Sequence, residues 1–188
     1  EYLKLLKELE KIGEVTPEML QGLKELDQST MFGFLNADLN NAVKKTVAKG
    51  LLGGLSEEAM VELLLSGDGG SLTTPQLETL INTALNTYSR TVTAAMAESL
   101  PKRTKYLYIG PVDDKTRDIC LAMIDAGALT RAEIDAQFPG AFVDGGGFNC
   151  RHRWAQQTAL TKSEKPKAKK VIQKIKEKRD FNPKTLLQ

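Results

Sequence analysis

The sequence is poor in the residues that most enzymes and secreted domains depend on. Its 188 residues contain one His, one Trp and two Cys, and aromatic residues make up 6%. Two cysteines are too few for the disulfide framework of a small secreted protein. A single histidine argues against most acid–base enzymes, because His is the side chain that most often transfers the proton. No apolar run approaches the roughly 20 residues of a transmembrane helix, so we expect no membrane partner.

The common catalytic and phosphate-binding motifs are also missing. The sequence contains no Walker A loop, no dinucleotide-binding glycine fingerprint, no His-Glu-x-x-His helix and no nucleophile elbow. The glycines at residues 145–147 lack the strand-to-helix context of a phosphate-binding loop. We therefore expect a protein that is not an enzyme.

Charge is distributed unevenly along the chain. Residues 162–188 carry ten Lys and Arg against three Asp and Glu, whereas the first 161 residues carry sixteen basic and twenty-one acidic side chains. A basic tail on an acidic body can contact double-stranded DNA, and it can equally be a solvated helix face. The residues that would contact nucleic acid are Lys167, Lys169, Lys170, Lys174, Lys178 and Arg179.

Apolar periodicity predicts a predominantly α-helical α+β protein. The first 70 residues indicate several short helices. A long helix is predicted from Thr74 to about residue 100, where Pro101 ends it, and at 1.5 Å per residue it spans about 40 Å. Because the first residue is Glu1 and not Met, we expect a longer precursor. The predicted parts are a helical segment over residues 1–70, a domain over residues 71–160 that includes the long helix 74–100, and a basic helical tail over residues 161–188.

A small β element is expected after the long helix. The aromatic and β-branched run over residues 105–110 is the best strand candidate, and residues 148–154 are a second. Between them, Asp113 is placed to cap a helix that extends to about Ala126. Thr130 and Glu133 have the spacing of a capping box, which predicts another short helix. We expect the β element to pack against the helix that contains Cys120.

The cysteines and the histidine suggest a metal site. Cys120 lies in the predicted helix, whereas Cys150 and His152 lie in the later segment, where alternate residues of an extended chain point to one side. With Asp113 or Asp114 as a fourth ligand, these three side chains would form a tetrahedral zinc site. Two buried thiols in contact, or a disulfide, would explain the cysteines without a metal. The sequence leaves these three interpretations open.

A catalytic Cys–His pair is a further alternative, since a thiolate nucleophile needs a base within hydrogen-bond reach. Two residues apart on a strand, Cys150 and His152 would be separated by about 6.5–7 Å, too far for direct contact. Cys120 would then be the partner of His152. We expect Arg151 and Arg153 to form charge-assisted bonds to carboxylates such as Asp113 or Asp144, as structural ion pairs that hold the two segments together.

Two stretches of the sequence, taken together, resemble a known family. Residues 105–120, Lys-Tyr-Leu-Tyr-Ile-Gly-Pro-Val-Asp-Asp-Lys-Thr-Arg-Asp-Ile-Cys, follow the long helix, and residues 145–154, Gly-Gly-Gly-Phe-Asn-Cys-Arg-His-Arg-Trp, come later. Over residues 73–156 this order is similar to that of the phage Mu head-morphogenesis family, the MuF-type minor head proteins. The matching residues are Asp113 or Asp114, Thr116, Arg117, Cys120, Asn149, Cys150 and Arg151.

The chain departs from the family pattern at two positions. Arg117 stands where many members carry a second helix cysteine, and His152 stands where many members have Cys. A histidine keeps the ability to bind a metal, whereas the missing cysteine weakens a four-ligand site.

The resemblance implies a minor capsid protein of a tailed bacteriophage, made in the host cytoplasm and located in the virion near the portal vertex. It implies several copies there, with the portal protein and the major capsid or scaffold protein as partners, and a role in genome packaging or ejection. It implies no catalytic residue, and the residues that complete the structural motif are Asp114, Thr116, Arg117, Asn149, Arg151 and Trp154.

Two alternative functions remain. One is a small metal- or thiol-dependent enzyme, such as a nuclease or peptidase, that uses Cys120, Cys150 and His152. The other is a DNA-binding module built on the basic tail.

Overall fold

A computed structural model of the protein describes residues 16–28, 32–33, 35–67 and 72–159. The predicted basic tail and its six nucleic-acid contacts lie outside the described residues and stay predictions. The chain forms two compact units, unit 1 (Glu1–Glu98) and unit 2 (Ser99–Gln188). The predicted domain over residues 71–160 combines the long helix with the residues that follow it, whereas in the structure the units divide after this helix.

Four helices make up the described part of unit 1. They are α1 (Pro17–Gln28), α2 (Ala37–Gly53), α3 (Glu57–Leu65) and α4 (Thr74–Glu98). The predicted long helix is confirmed, with 25 residues. Short polar side chains begin the others, because the first turn of a helix has unpaired N–H groups. The Asn36 side chain accepts the Leu39 N–H at 2.8 Å, and Ser56 Oγ accepts the Ala59 N–H at 3.3 Å.

The core of unit 1 is formed on the long helix, against which α1, α2 and α3 all pack. One face of α4 is buried along most of its length, as its apolar periodicity requires. At Gly22 helix α1 comes very close to α4, since a Cβ there would lie 2.7 Å from Val92 Cγ2. The fully buried aliphatic side chains of this core include Leu23, Leu26, Val43, Val47, Leu64, Leu77 and Ile81.

The described part of unit 2 combines a small antiparallel sheet with three short α-helices. In chain order its elements are β1 (Lys105–Ile109), α5 (Asp118–Asp125), β2 (Leu129–Thr130), α6 (Arg131–Gln137), α7 (Ala141–Asp144) and β3 (Arg153–Gln156). The central strand is β1, which pairs with β2 on one side and β3 on the other. The described residues thus form a predominantly helical α+β protein, as the sequence predicted, and the capping box of Thr130 and Glu133 is present.

Side-chain alternation on β1 organises the core of unit 2. Tyr106 and Tyr108 are buried on one face, with 2% and 0% exposure. Tyr106 meets the Phe142 ring edge to face at 5.1 Å, and Tyr108 lies 4.9 Å from the ring of Trp154, its register partner on β3. Helix α5 packs on β1, and this confirms the expected contact between the β element and the helix that contains Cys120.

The prediction that Asp113 caps this helix is wrong. Helix α5 begins at Asp118 and its N-cap residue is Arg117, which makes no side-chain cap. Asp113 instead forms a local turn, in which its Oδ1 accepts the Lys115 N–H at 3.0 Å and its N–H donates to Thr116 Oγ1 at 2.9 Å. An aspartate that bonds to nearby backbone in this way favours a turn over a helix.

The second predicted strand lies later than expected, over β3 instead of residues 148–154. Asn149 has φ 58°, in the left-handed region, and this turn keeps the preceding residues out of the sheet. Among the described helices, none is both long and apolar enough to cross a bilayer.

Candidate functional site

Four buried side chains from three parts of unit 2 lie close together in its core. Cys120 comes from the first turn of α5, Cys150 and His152 come from the segment that leads into β3, and Tyr108 comes from β1. Their relative exposures are 2%, 3%, 2% and 0%, in that order. We call this group the sulfur cluster.

Three of the four predicted metal ligands meet in the sulfur cluster. The Sγ atoms of Cys120 and Cys150 are 3.7 Å apart, and Cys150 Sγ lies 3.9 Å from His152 Nδ1. One potential ligand atom from each of these residues lies within 4.8 Å of the other two. The cluster could therefore hold a metal ion. The predicted fourth ligand, Asp113, does not belong to this group, because both of its oxygens bind Arg151.

The expectation that Cys150 and His152 are too far apart for contact is wrong. It assumed a regular strand, whereas the left-handed Asn149 turns the chain just before Cys150. The backbone N–H of His152 then donates to Cys150 Sγ at 3.5 Å, which brings the imidazole close to the same sulfur. A hydrogen bond of this kind stabilises the thiolate form of a cysteine.

Sequence reasoning missed Tyr108. Its hydroxyl lies 3.3 Å from Cys150 Sγ and 4.0 Å from Cys120 Sγ. Its ring is stacked nearly parallel to the His152 ring, with centroids 5.5 Å apart and an interplanar angle of 12°. The alternation of strand β1 predicts that this tyrosine is buried, and a buried hydroxyl needs a polar partner. That requirement is the signal that could have placed it near the cysteines.

The two sulfurs differ in their electrostatic surroundings. The hydrogen bond with Cys120, followed by those from His152 and Tyr108, lowers the pKa of the Cys150 thiol. The hydrogen bond with Cys150, together with burial, raises the pKa of Cys120. The two thiols are therefore not equivalent, and Cys150 is the more readily deprotonated of the two.

Backbone covers one side of the two sulfurs. A Cβ on Gly146 would lie 2.4 Å from Cys120 Sγ and 3.4 Å from Cys150 Sγ, so no larger residue fits without displacing them. The glycines on either side, Gly145 and Gly147, have φ 59° and 89°, which L-residues rarely adopt. The Arg117 guanidinium holds this loop in place by donating to the carbonyl oxygens of Gly146 and Phe148.

A second set of polar contacts ties the loop before α5 to the segment after Cys150. Arg151 binds Asp113 with both of its terminal nitrogens, at 2.7 and 2.8 Å, as expected from the sequence. The Arg151 guanidinium holds the pKa of the Asp113 carboxyl well below its usual range. Thr116 is buried against the same turn and its hydroxyl lies 3.1 Å from the Pro111 carbonyl oxygen.

The remaining motif residues occupy different environments. Trp154 is buried against Tyr108, with its ring 6.5 Å from that of Phe138 as well. Asp114 is exposed. The structure thus brings the predicted motif residues into one region, with Asp114 at its surface.

A pocket of about 270 Å³ borders the sulfur cluster, and both cysteines and His152 contribute to its lining. Three of its side chains are cationic. It is lined by Lys115, Thr116, Arg117, Cys120, Asn149, Cys150, Arg151 and His152.

Comparison of the chain with protein-family models, with curated proteins and with solved structures found no match. The interpretation of the site therefore depends on its own geometry.

Proposed function

We propose that the chain is a minor head protein of a tailed bacteriophage, with a structural role in head assembly near the portal vertex and in genome packaging or ejection. The observation that carries this proposal is that the two halves of the MuF-like pattern, thirty residues apart, form one compact unit in which their sulfurs are 3.7 Å apart. A sequence pattern with a structural role must bring its parts into contact, and the contact between the two sulfurs supports such a role.

The polar residues of the pattern favour a structural role over catalysis. Arg117 binds backbone carbonyls of the glycine loop, and Arg151 and Asp113 bind each other. Each of these charged groups is engaged in holding one segment of unit 2 to another. A catalytic site would leave at least some of them directed at a substrate.

The proposed partners are the portal protein and the major capsid or scaffold protein, with several copies of this chain around the portal vertex. Double-stranded DNA is a further proposed partner, through the basic tail over residues 162–188. The charge of that tail supports this contact.

The proposal is tested on particles released from the bacterial culture that carries the gene. After nuclease treatment and density-gradient separation, mass spectrometry should find peptides of this chain in the particles at a low copy number relative to the major capsid protein. Deletion of the gene should reduce the infectious titre, and the wild-type gene supplied in trans should restore it. Absence of the chain from particles, with an unchanged titre after deletion, would contradict the proposal.

One observation favours the alternative, a small thiol- or metal-dependent enzyme. The pocket reaches both sulfurs and carries three cationic side chains, Lys115, Arg117 and Arg151, which would attract an anionic substrate. Purified protein would be assayed against single- and double-stranded DNA and an unstructured peptide pool, with the Cys150→Ser variant as control. Cleavage that is lost in this variant would support the enzyme, and equal rates in both proteins would exclude it.

A further inference from the structure

The sulfur cluster has the composition and spacing of a tetrahedral metal centre. We propose that Cys120, Cys150 and His152 bind one zinc ion and that the Tyr108 hydroxyl, instead of the Asp113 carboxylate, supplies the fourth ligand. This proposal does not depend on the phage assignment. It concerns what holds unit 2 together, whichever function the protein has.

The two distances from Cys150 Sγ to the other candidate ligand atoms match edges of a zinc tetrahedron, and Cys120 and His152 offer ligand atoms within 4.8 Å of each other. With Zn–S bonds of about 2.3 Å, two sulfurs on tetrahedral zinc lie about 3.8 Å apart, and a sulfur and an imidazole nitrogen about 3.6 Å apart. The observed values are 3.7 Å between the two Sγ atoms and 3.9 Å between Cys150 Sγ and His152 Nδ1. A disulfide requires sulfurs at about 2.05 Å, little more than half of the observed separation.

The Tyr108 hydroxyl lies where a fourth ligand belongs. A sulfur and an oxygen on the same tetrahedral zinc are about 3.6 Å apart. The hydroxyl oxygen is 3.3 Å from one sulfur and 4.0 Å from the other, so that the two distances bracket the expected value. Asp113, the fourth ligand that the sequence suggested, is held by Arg151 and is not among the grouped ligands.

The charge of the proposed centre suits a buried position. Binding of Zn²⁺ releases the protons of both thiols, and the two thiolates neutralise the ion. If the tyrosine binds as phenolate, one more proton is released and the centre carries a single negative charge. Arg117 interacts electrostatically with Cys120, and Arg151 with both cysteines, so cationic groups are in place to offset that charge. The closed ligand set makes the site structural and not catalytic.

The first experiment uses the unmodified chain, purified under reducing conditions and dialysed against buffer without metal. We expect one zinc per chain by inductively coupled plasma mass spectrometry. Replacement by Co²⁺ should give the visible bands of tetrahedral cobalt and a thiolate charge-transfer band. Removal of zinc by a chelator should lower the melting temperature. Protein with no bound metal and two freely titratable thiols would overturn the proposal, and so would loss of both thiols to a disulfide.

Variants at position 152 separate metal binding from packing. His152→Ala removes a ligand and should lower zinc affinity by at least about a hundred-fold, because even residues behind the ligands contribute ten- to a hundred-fold. His152→Cys supplies another zinc ligand and should keep one zinc per chain. Asp113→Asn is the control and should bind zinc as the unmodified chain does. Equal zinc binding in the Ala and Cys variants would overturn the assignment of His152.

Tyr108→Phe tests the fourth ligand with the ring retained. We expect about a ten- to hundred-fold lower zinc affinity and a changed cobalt spectrum. In the unmodified chain, zinc binding should also give the ultraviolet difference spectrum of tyrosinate. An unchanged zinc affinity and cobalt spectrum in Tyr108→Phe would overturn the role of Tyr108 as a ligand. Cobalt bands that respond to added azide would then show that a small molecule from the pocket occupies the fourth position. If a variant fails to fold by circular dichroism, the measurements on the unmodified chain decide.

Discussion

The two units obtain their stability in different ways. Unit 1 buries aliphatic side chains along one long helix, and the threonines buried with them on that helix, Thr83, Thr87 and Thr91, donate to carbonyl oxygens three or four residues earlier. Unit 2 has short elements, and its buried residues include two tyrosines, a tryptophan, two cysteines, a histidine and a threonine. Aliphatic cores tolerate changes that keep volume and pattern. Buried groups with hydrogen-bonding atoms need particular partners, and in unit 2 the Tyr108 hydroxyl and the two thiols meet partners 12 to 42 residues away along the chain. Unit 2 should therefore be the more sensitive of the two to chemically small substitutions.

The largest effect is expected from Trp154→Ala. The indole is buried against Tyr108, and removing a buried Trp costs about 3–5 kcal/mol through lost burial and the cavity left behind. Hydrogen-exchange mass spectrometry should show lost protection in peptides of unit 2, with peptides of unit 1 unchanged. Leu77→Ala is the matched variant in unit 1, with an expected cost of about 2–5 kcal/mol. Equal loss of protection in both units from either variant would contradict the comparison.

Arg117→Met should cost about 1–2 kcal/mol, because the glycine loop loses both of its guanidinium hydrogen bonds while the aliphatic volume is largely kept. Denaturant unfolding monitored by Trp154 fluorescence measures this, since the only tryptophan lies in unit 2. The control is Arg103→Met at an exposed position, with an expected effect within about 0.5 kcal/mol. Equal effects of the two variants would remove the argument that Arg117 holds the loop.

Gly22→Ala should destabilise unit 1 by about 1 kcal/mol. The added methyl meets Val92 Cγ2 at 2.7 Å, and the cost of overpacking exceeds the gain in helix propensity of about 1 kcal/mol. Gly53→Ala is the control, because its methyl would meet only Leu55 Cγ at 3.9 Å, and it should be neutral or stabilising. The free energy of unfolding followed by helical circular dichroism compares them. If Gly22→Ala raises the free energy of unfolding, helices α1 and α4 do not pack this closely at Gly22.

Asp113→Asn should have the smallest effect, under about 1 kcal/mol, because the Asp113–Arg151 pair is more than one-third exposed. Arg151 lowers the pKa of Asp113 in the folded protein. A lowered pKa stabilises the fold above the unfolded-state pKa, near 3.9, and the contribution is lost as the pH falls below it. The difference in melting temperature between the two proteins should therefore shrink between pH 6 and pH 3. If the melting-temperature difference instead grows as the pH falls from 6 to 3, its pH dependence has the opposite sign. The Asp113–Arg151 ion pair is then excluded as its cause.

Regular elements were predictable because they depend on repeated patterns. The stripe of the long helix and the capping box of Thr130 and Glu133 follow from spacing, and strand β1 follows from its aromatic and β-branched composition; the structure confirms all three. In the same way, two cysteines and a histidine on neighbouring segments were enough to suggest that they meet.

The details of the site were not predictable, because single residues with unusual backbone or local hydrogen bonds decide them. Asp113 forms a turn instead of a helix cap, and Asn149 adopts a left-handed conformation that brings His152 to the sulfur of Cys150. The alternation of β1 predicts that Tyr108 is buried, but the register of β1 with β3 helps to decide which side chains it meets. No periodic pattern contains this information.

The backbone cover at Gly146 has a consequence for how this protein can change over generations. Mutation exchanges side chains, whereas the main-chain surface that covers the two sulfurs at Gly146 keeps its shape and chemistry as long as this glycine is retained. Differences in access to the two sulfurs must therefore arise at the pocket, where Lys115, Arg117 and Arg151 are part of the lining. Related proteins should vary most at Lys115, which makes none of the contacts that fix the two arginines.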